Sequence, residues 1–325
     1  MIVYFVMVYL LITNNITNKS QIQRLVSTFL IGGFLVALFG VVQYLISNIC
    51  GTEALVSMGF DRSTYFFGRS REGFRAFSIF YHYNVFGGFL ALVLPLAITV
   101  PRNLRIRIAT VVMFMALILT YSRGSWLGVI GVIIVISVIK KSLRVFCEAG
   151  ICAILVILFL CMLSGSFFNR VTARATDTYS SVNSRFLLWQ AGWEMISSHH
   201  LTGVGIGTFA ENLPLYAPPN IEMQDTAHNL YLNIAAETGI PGLFLYLAIL
   251  SIILYRGIKN HQTLKDEYLK YLNLGLLGGL IAFSVNNLFT PLMLRGVAIP
   301  LWIFIGLIMV IRRLYPNKSG FQQTK

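Results

Sequence analysis

The sequence predicts an all-α fold: a polytopic bundle of about eight to nine transmembrane helices, with a large external loop that carries short interfacial helices. Three observations predict it. Of 325 residues, 56% are hydrophobic and only 11% charged, against about 25% charged in a soluble domain. Polar residues fall in short clusters between apolar runs of roughly 16–24 residues, close to the length a helix needs to cross the hydrocarbon core. The runs are continuous rather than alternating, which favours helices over a closed barrel, the two structures that satisfy every backbone group in lipid.

In chain order the candidate spans are 1–12, 25–47, 79–100, 104–121, 125–139, 145–163, 229–255, 270–290 and 296–311. The first lacks the basic start and small-residue cleavage site of a signal peptide. It is too short to cross and reads as a partial helix, or as the end of a helix from a longer parent chain. Three regions follow: 1–163, N-terminal transmembrane helices with an external loop at 48–78; 164–228, the large external loop; and 229–325, the C-terminal transmembrane helices and a cytoplasmic tail. The cysteines show no metal-ligand spacing. Cys147, Cys152 and Cys161 share one apolar run and Cys50 stands apart, so small apolar packing is the expected role.

Orientation follows from the basic residues. The loops 13–24, 101–107, 140–144 and 255–270 and the tail after Ile311 hold every lysine: Lys19, Lys140, Lys141, Lys259, Lys265, Lys270, Lys318 and Lys325. These loops are read as cytoplasmic. The opposite side comprises 48–78, 164–228 and tight turns near Arg123 and Arg295, and it has arginine without lysine. A purely topological signal would use either cation. Arginine alone points to fork-shaped recognition of phosphate or carboxylate; the plainer alternative is chance in a small sample. The net charge of +13 is thus a property of loops, and membrane lipids rather than nucleic acid are the expected partners.

Long loops in compact folds are usually functional, which directs attention to 164–228. Within it, 183–200 reads as a helix outside the bilayer, capped by Ser181 or Asn183. Its Phe186, Trp189, Trp193 and Ile196 form an apolar stripe expected to rest on the bilayer surface or on the bundle. Gly203, Gly205 and Gly207 follow a helix and open none obviously, so they read as a turn rather than a phosphate loop.

Four groups of residues carry the chemistry. Tyr121-Ser122-Arg123-Gly124-Ser125-Trp126 is the tip of a hairpin. The run 108–139 is shorter than the roughly 40 residues two full crossings need, so Arg123 is expected below the headgroups. There a cation is costly unless it is paired or faces a cavity; snorkelling to the interface is the alternative. Arg185, after Ser184 and one turn before Trp189, starts the external helix and otherwise reads as a solvated charge. Arg69, Arg71 and Arg75 crowd the loop before the third span, near Phe77 and Asn84, where a phosphate and a lipid headgroup fit equally.

The fourth group is Ala227-His228-Asn229-Leu230-Tyr231, at the external mouth of a span. The ordinary imidazole pKa of about 6.5 suits proton abstraction, against the plainer reading of His228 as a satisfied polar residue. Gly239 and Pro241 should break the helix, leaving a short helix over 229–238 and a new span that starts at Pro241. Glu237 would end the short helix on the side away from His228 and reads as a structural partner. Asp61, Glu72, Asp177, Glu194, Glu211, Glu222 and Asp225 are scattered, so no metal site is expected.

At these residues the sequence resembles the O-antigen ligase and O-antigen polymerase superfamily of membrane glycosyltransferases. The matching stretches are YSRGSWLGV at 121–129, SRFLLWQAGWEMISSHHLTGVGIGTF at 184–209 and HNLYLNIAAETGIPGLFLYL at 228–247, in that order around one long external loop. The resemblance covers about residues 70–310. It implies a multi-span bundle in the bacterial inner membrane, with the active site facing the exterior. It also implies a polyprenyl-diphosphate-linked glycan as donor, a glycan, lipid or protein acceptor, and transfer with neither metal nor cofactor. Family members have more spans than this chain offers, so an N-terminal part would be missing or reduced. Arginines that hold the diphosphate are carried onto Arg123 and Arg185, and a histidine base onto His228. To these we add Arg75 as a donor-binding residue, and Asn229, Tyr231, Glu237 and Trp189 as supporting ones. Ligase and polymerase differ in acceptor and both stay open, with the His-Asn-x-x-Leu motif at 228–232 leaning towards ligase. A lipid-linked glycan transporter is the alternative of another class. It calls for polar mid-span residues and internal repeats, neither of which is found.

Overall fold

The computed structural model describes residues 2–60, 69–70, 73–101, 103–140, 147, 150–151, 154, 184–218, 224, 226–291 and 296–315. The apolar runs form helices because in lipid only internal pairing satisfies the backbone. Helices α1 (Ile2–Asn15) and α2 (Lys19–Ile49) are joined by a short turn, and Asn18 caps α2 by accepting from the Gln21 amide. A short α3 (Glu53–Ser57) and a two-residue antiparallel ladder of β1 (Arg69–Ser70) with β2 (Gly73–Phe74) follow. This ladder is a small departure from the all-α expectation. Next come α4 (Tyr83–Thr99), α5 (Leu104–Leu119) and α6 (Arg123–Ile139). The long loop contributes α7 (184–198) and α8 (Phe209–Tyr216). The chain continues through α9 (Leu230–Thr263), α10 (Glu267–Asn286) and α11 (Ala298–Leu314).

Three of these helices, α2, α9 and α10, are long and apolar enough to cross a membrane, and Val3–Asn15, Tyr83–Thr99 and Arg123–Ile139 are shorter apolar helices. The expected span at 145–163 lies almost wholly outside the described residues, as do Ser181, Asn183, Arg71, Arg295 and the Arg69 side chain.

The bundle is organised around α10. A Cβ on its Gly279 would collide with the Leu92 carbonyl oxygen of α4, and a Cβ on Gly128 of α6 would lie 2.6 Å from the Ala282 oxygen. Helix association in lipid has no hydrophobic driving force and rests on such close approach and on interhelical hydrogen bonds. Asn273 Nδ2 donates to the Gly257 carbonyl at 2.8 Å and Asn260 Nδ2 to the Ile308 carbonyl at 2.9 Å, tying α9, α10 and α11.

The lysine-bearing loops gather at one end. Lys19 pairs with Asp266 at 2.5 Å and lies over the Tyr268 ring, Lys140 sits 4.5 Å from the Tyr271 ring centroid, and Arg313 donates to the Thr13 and Ile16 carbonyls.

Packing divides the expected α7 stripe between two surroundings. The buried face of α7 is Leu188, Ala191, Met195 and Ile196, packed with Phe209, Leu213, Ala235 and Ala236. Of the proposed stripe only Trp189 and Ile196 turn inward, whereas Phe186 and Trp193 are 60% and 65% exposed. A Cβ on Gly192 would already lie 3.0 Å from the Leu232 side chain, so the small-residue face fits closely against α9. Cys50, expected to pack, is exposed at the end of α2.

Candidate functional site

The opposite end of the bundle is built from three turns and the start of α7. The first turn carries Arg75. Its Ala76 amide donates to the Leu119 carbonyl at 3.0 Å, and the Phe77 and Ser78 amides donate to Gln43 Oε1 at 3.3 and 2.9 Å. The Arg75 guanidinium carbon lies 4.4 Å from the centroid of the Tyr83 ring, a cation–π distance. Its buried Nε has no hydrogen-bond partner among the described residues.

The second turn leads into α6, whose first residue is Arg123. Ser122 Oγ lies 2.9 Å from Ser125 Oγ, which accepts from Asn286 Nδ2 at 3.0 Å. Trp126 Nε1 donates to the Leu117 carbonyl at 2.9 Å and closes the hairpin. Arg123 is exposed and stands at a helix N-terminus, where the macrodipole adds positive potential. The dipole thus opposes the arginine but reinforces it towards an anion.

Arg185 lies in the first turn of α7. Burial lowers its pKa from the ordinary arginine value, the neighbouring Arg123 charge lowers it further, and Tyr83 acts the other way. Arg75 and Arg185 thus both lie near Tyr83, and Arg123 is close enough to Arg185 for its charge to act there. Among the described residues neither Arg75 nor Arg185 is ion-paired with a carboxylate. Like charges crowded together and partly desolvated are costly, and an anion offsets that cost. The planar forks suit the oxygens of a phosphate group.

The third turn carries His228, just before Asn229, the N-cap of α9. Asn229 Oδ1 accepts from the amides of Tyr231 at 3.0 Å and Leu232 at 3.2 Å. Trp189 Nε1 donates to the Ala227 carbonyl at 2.9 Å, the Ala227 amide donates to Asn233 Oδ1 at 3.1 Å, and Tyr231 Oη donates to the Ser284 carbonyl at 2.9 Å. The Leu230 amide donates to the Asn287 carbonyl at 2.8 Å. The end of α10 thus anchors two site elements through adjacent residues, the Arg123 turn through Asn286 and the His228 turn through Asn287.

Among the described residues the non-glycine positions with positive φ are Ser78 at 54°, Tyr121 at 52° and His228 at 54°. Each is a site residue or lies within three residues of one. Such conformations cost of the order of 1–3 kcal/mol each and persist only where the surroundings over-determine them.

Glu237 belongs elsewhere. Its Oε2 accepts from the Gly207 amide at 3.0 Å, while the Ala236 and Glu237 carbonyls accept from Val204 at 2.9 Å and Gly205 at 3.1 Å. The glycine stretch is therefore a turn docked on the break in α9, where Gly239 has φ 75° and ψ 178°. Tyr83, Gln43, Tyr44, Asn286 and Asn287 escaped the sequence analysis. For Gln43 the available signal was an amide inside an otherwise apolar run, and for Asn286 and Asn287 it was a polar pair closing a span.

A bundle of apolar helices, three of them long enough to cross a membrane, with guanidinium groups and a constrained histidine at one end marks an integral membrane protein. Residues 108–247 match the model of the O-antigen ligase family. The chain is also similar to the teichuronic acid biosynthesis protein TuaE of Bacillus subtilis (strain 168), at 23% identity over 257 residues that cover 73% of this chain and 52% of that protein. The chain spans about half the length of this curated relative. Both findings support the O-antigen ligase superfamily. The matched stretch contains Arg123, Arg185 and His228, whereas Arg75 precedes it.

Proposed function

We propose that the protein is a membrane glycosyltransferase that moves a glycan from a polyprenyl-diphosphate carrier to an acceptor hydroxyl or amine. The observation that carries this reading is the clustering of Arg75 and Arg185 near Tyr83, with Arg123 near Arg185, at the end of the bundle where His228 is held. In the transfer, His228 takes the proton from the acceptor's O–H or N–H as that atom bonds to the sugar carbon. The bond from this carbon to the diphosphate oxygen breaks, and the electron pair leaves with the diphosphate. The arginines stabilise the charge that develops there. Attack from the side opposite the leaving group inverts the sugar carbon. Purified protein supplied with a polyprenyl-diphosphate-linked glycan and acceptors should release polyprenyl diphosphate and yield glycosylated acceptor; no release from any donor with any acceptor would overturn the reading.

Two acceptors suit this chemistry. A lipid or protein acceptor makes the protein a ligase, the choice the His-Asn-x-x-Leu motif favours. Another carrier-linked repeat makes it a polymerase, and the name of the relative, a teichuronic acid biosynthesis protein, favours a polysaccharide product. A ladder of products built from the donor alone distinguishes polymerase from single transfer.

Transfer is expected to proceed without metal. Among the described residues no three His, Cys, Asp or Glu side chains come together, and the arginines supply the neutralising charge. Activity should survive excess EDTA; loss restored by magnesium or manganese would reveal a metal site.

In this reading about eight to nine spans cross the bacterial cytoplasmic membrane, with the lysine loops inside and the arginine end outside. In a background with the four native cysteines replaced, Thr52→Cys should react with an impermeant thiol reagent on intact cells and Lys140→Cys should not. Labelling at 140 from outside would reverse the orientation.

A further inference from the structure

We propose that Gln43 and Tyr44, adjacent residues of α2, are positioning residues that set the separation of the Arg75 and Arg123 turns. This rests on the reading of those arginines as donor-holding groups. Gln43 is 1% exposed and Tyr44 3%, although both lie in an apolar helix. A buried amide in a membrane segment is costly unless it is hydrogen-bonded. Gln43 commits its amide to the Arg75 turn: Oε1 accepts from the Phe77 and Ser78 amides at 3.3 and 2.9 Å, and Nε2 reaches the Ser78 carbonyl at 3.4 Å. Ser78 is the residue at φ 54°, and its Oγ donates to the Val36 carbonyl, also on α2, at 2.7 Å. Irregular backbone between spans leaves amides without helical partners, and the Gln43 side chain takes the place of those partners.

Tyr44 holds the other turn. Its hydroxyl lies 3.2 Å from that of Tyr121, which is 8% exposed and has φ 52°. Tyr121 stands two residues before Arg123. The Ala76 amide bonded to the Leu119 carbonyl ties the two turns to each other. Neighbouring helix residues project about 100° apart, so a single turn of α2 grips the Arg75 turn with one side chain and the Arg123 turn with the next. Gln43, Tyr44 and Arg75 precede the family-matched stretch 108–247, whereas Tyr121 and Arg123 lie inside it. The N-terminal helices thus shape the arginine cluster rather than only anchoring it.

The test is initial-rate kinetics of the purified full chain, with the polyprenyl-diphosphate-linked glycan and the acceptor varied in turn. Tyr44→Phe and Tyr121→Phe should each raise the donor KM roughly 2- to 10-fold. The double variant should do no worse than either, because both changes remove one shared contact. Gln43→Leu should raise it about 5- to 30-fold. Gln43→Glu, whose neutral carboxyl offers the same acceptor and donor, should recover most of that loss. The acceptor KM should stay at its wild-type value throughout. A role confined to folding would lower the active fraction, and with it kcat, and leave both KM values in place. If Gln43→Leu does not insert, the tyrosine pair decides alone. A wild-type donor KM in the tyrosine variants overturns the proposal. Arg123→Ala, measured alongside, separates the two ideas. If it keeps the wild-type donor KM, the donor-site reading itself fails; if it loses donor binding while the α2 variants do not, only the positioning role fails.

Discussion

His228→Ala is expected to lower turnover by roughly 10²–10⁴-fold and to leave the donor KM nearly unchanged. The histidine occupies a left-handed backbone position, with φ 54°, immediately before the N-cap of α9. The turn is fixed from three sides, by Trp189 of α7, by Asn229 and Asn233 of α9 and by the Asn287 carbonyl of α10. Such over-determination of a strained residue fits a group that must be presented at a set place. In the proposed function the arginines supply donor binding, so losing the imidazole should remove proton abstraction alone. In wild type the rate should fall as pH drops through the pKa of the imidazole, because a protonated base cannot accept the acceptor's proton, and this limb should vanish in His228→Ala. A weakened donor KM with the acidic limb retained would instead mean that His228 binds the diphosphate. Wild-type turnover would end its catalytic assignment.

Arg123→Lys and Arg185→Lys should each lower kcat/KM by about 10²–10³-fold, the scale for losing one preorganised charge donor. Lysine keeps the charge but loses the planar fork that contacts two phosphate oxygens at once. A second measurement separates function from structure. Burial and the Arg123 charge act together against the charged form of Arg185, so in the absence of donor the cluster is a source of repulsion. Arg185→Leu should therefore lose activity without a drop in the thermal midpoint of the donor-free protein. Full activity in both lysine variants would leave these residues a topological role only, and a sharply lowered midpoint in Arg185→Leu would show that the charge supports the fold.

Much of the architecture was legible because the signals are local. The apolar runs at 25–47, 79–100, 104–121, 125–139, 229–255, 270–290 and 296–311 fall within or across α2, α4, α5, α6, α9, α10 and α11. The break in α9 was readable from Gly239 and Pro241, since backbone freedom and a missing amide act at the residue itself. Which face of α7 meets the protein was not readable, because the stripe suited the bilayer surface as well as the bundle. Counting large apolar residues favoured Phe186 and Trp193, but contact went to Ala191 and Gly192, because shape rather than hydropathy selects a packing face once both sides are apolar.

The sequence by itself determined the class of protein, the run of helices and the sorting of lysine from arginine. All of these depend on composition or on neighbours along the chain. Only the tertiary structure decided that Arg75 and Arg185 meet near Tyr83 with Arg123 close to Arg185, that α2 holds two of the turns and that the end of α10 anchors the third, carrying His228. Such meetings depend on contacts between residues far apart in the chain. Gln43 reaches Ser78 across 35 positions and Ser125 reaches Asn286 across 161. Small residues bring the backbones close at both contacts: a Cβ on Gly40 of α2 would lie 3.3 Å from the Ser78 Cβ, and one on Gly128 of α6 would lie 2.6 Å from the Ala282 oxygen of α10.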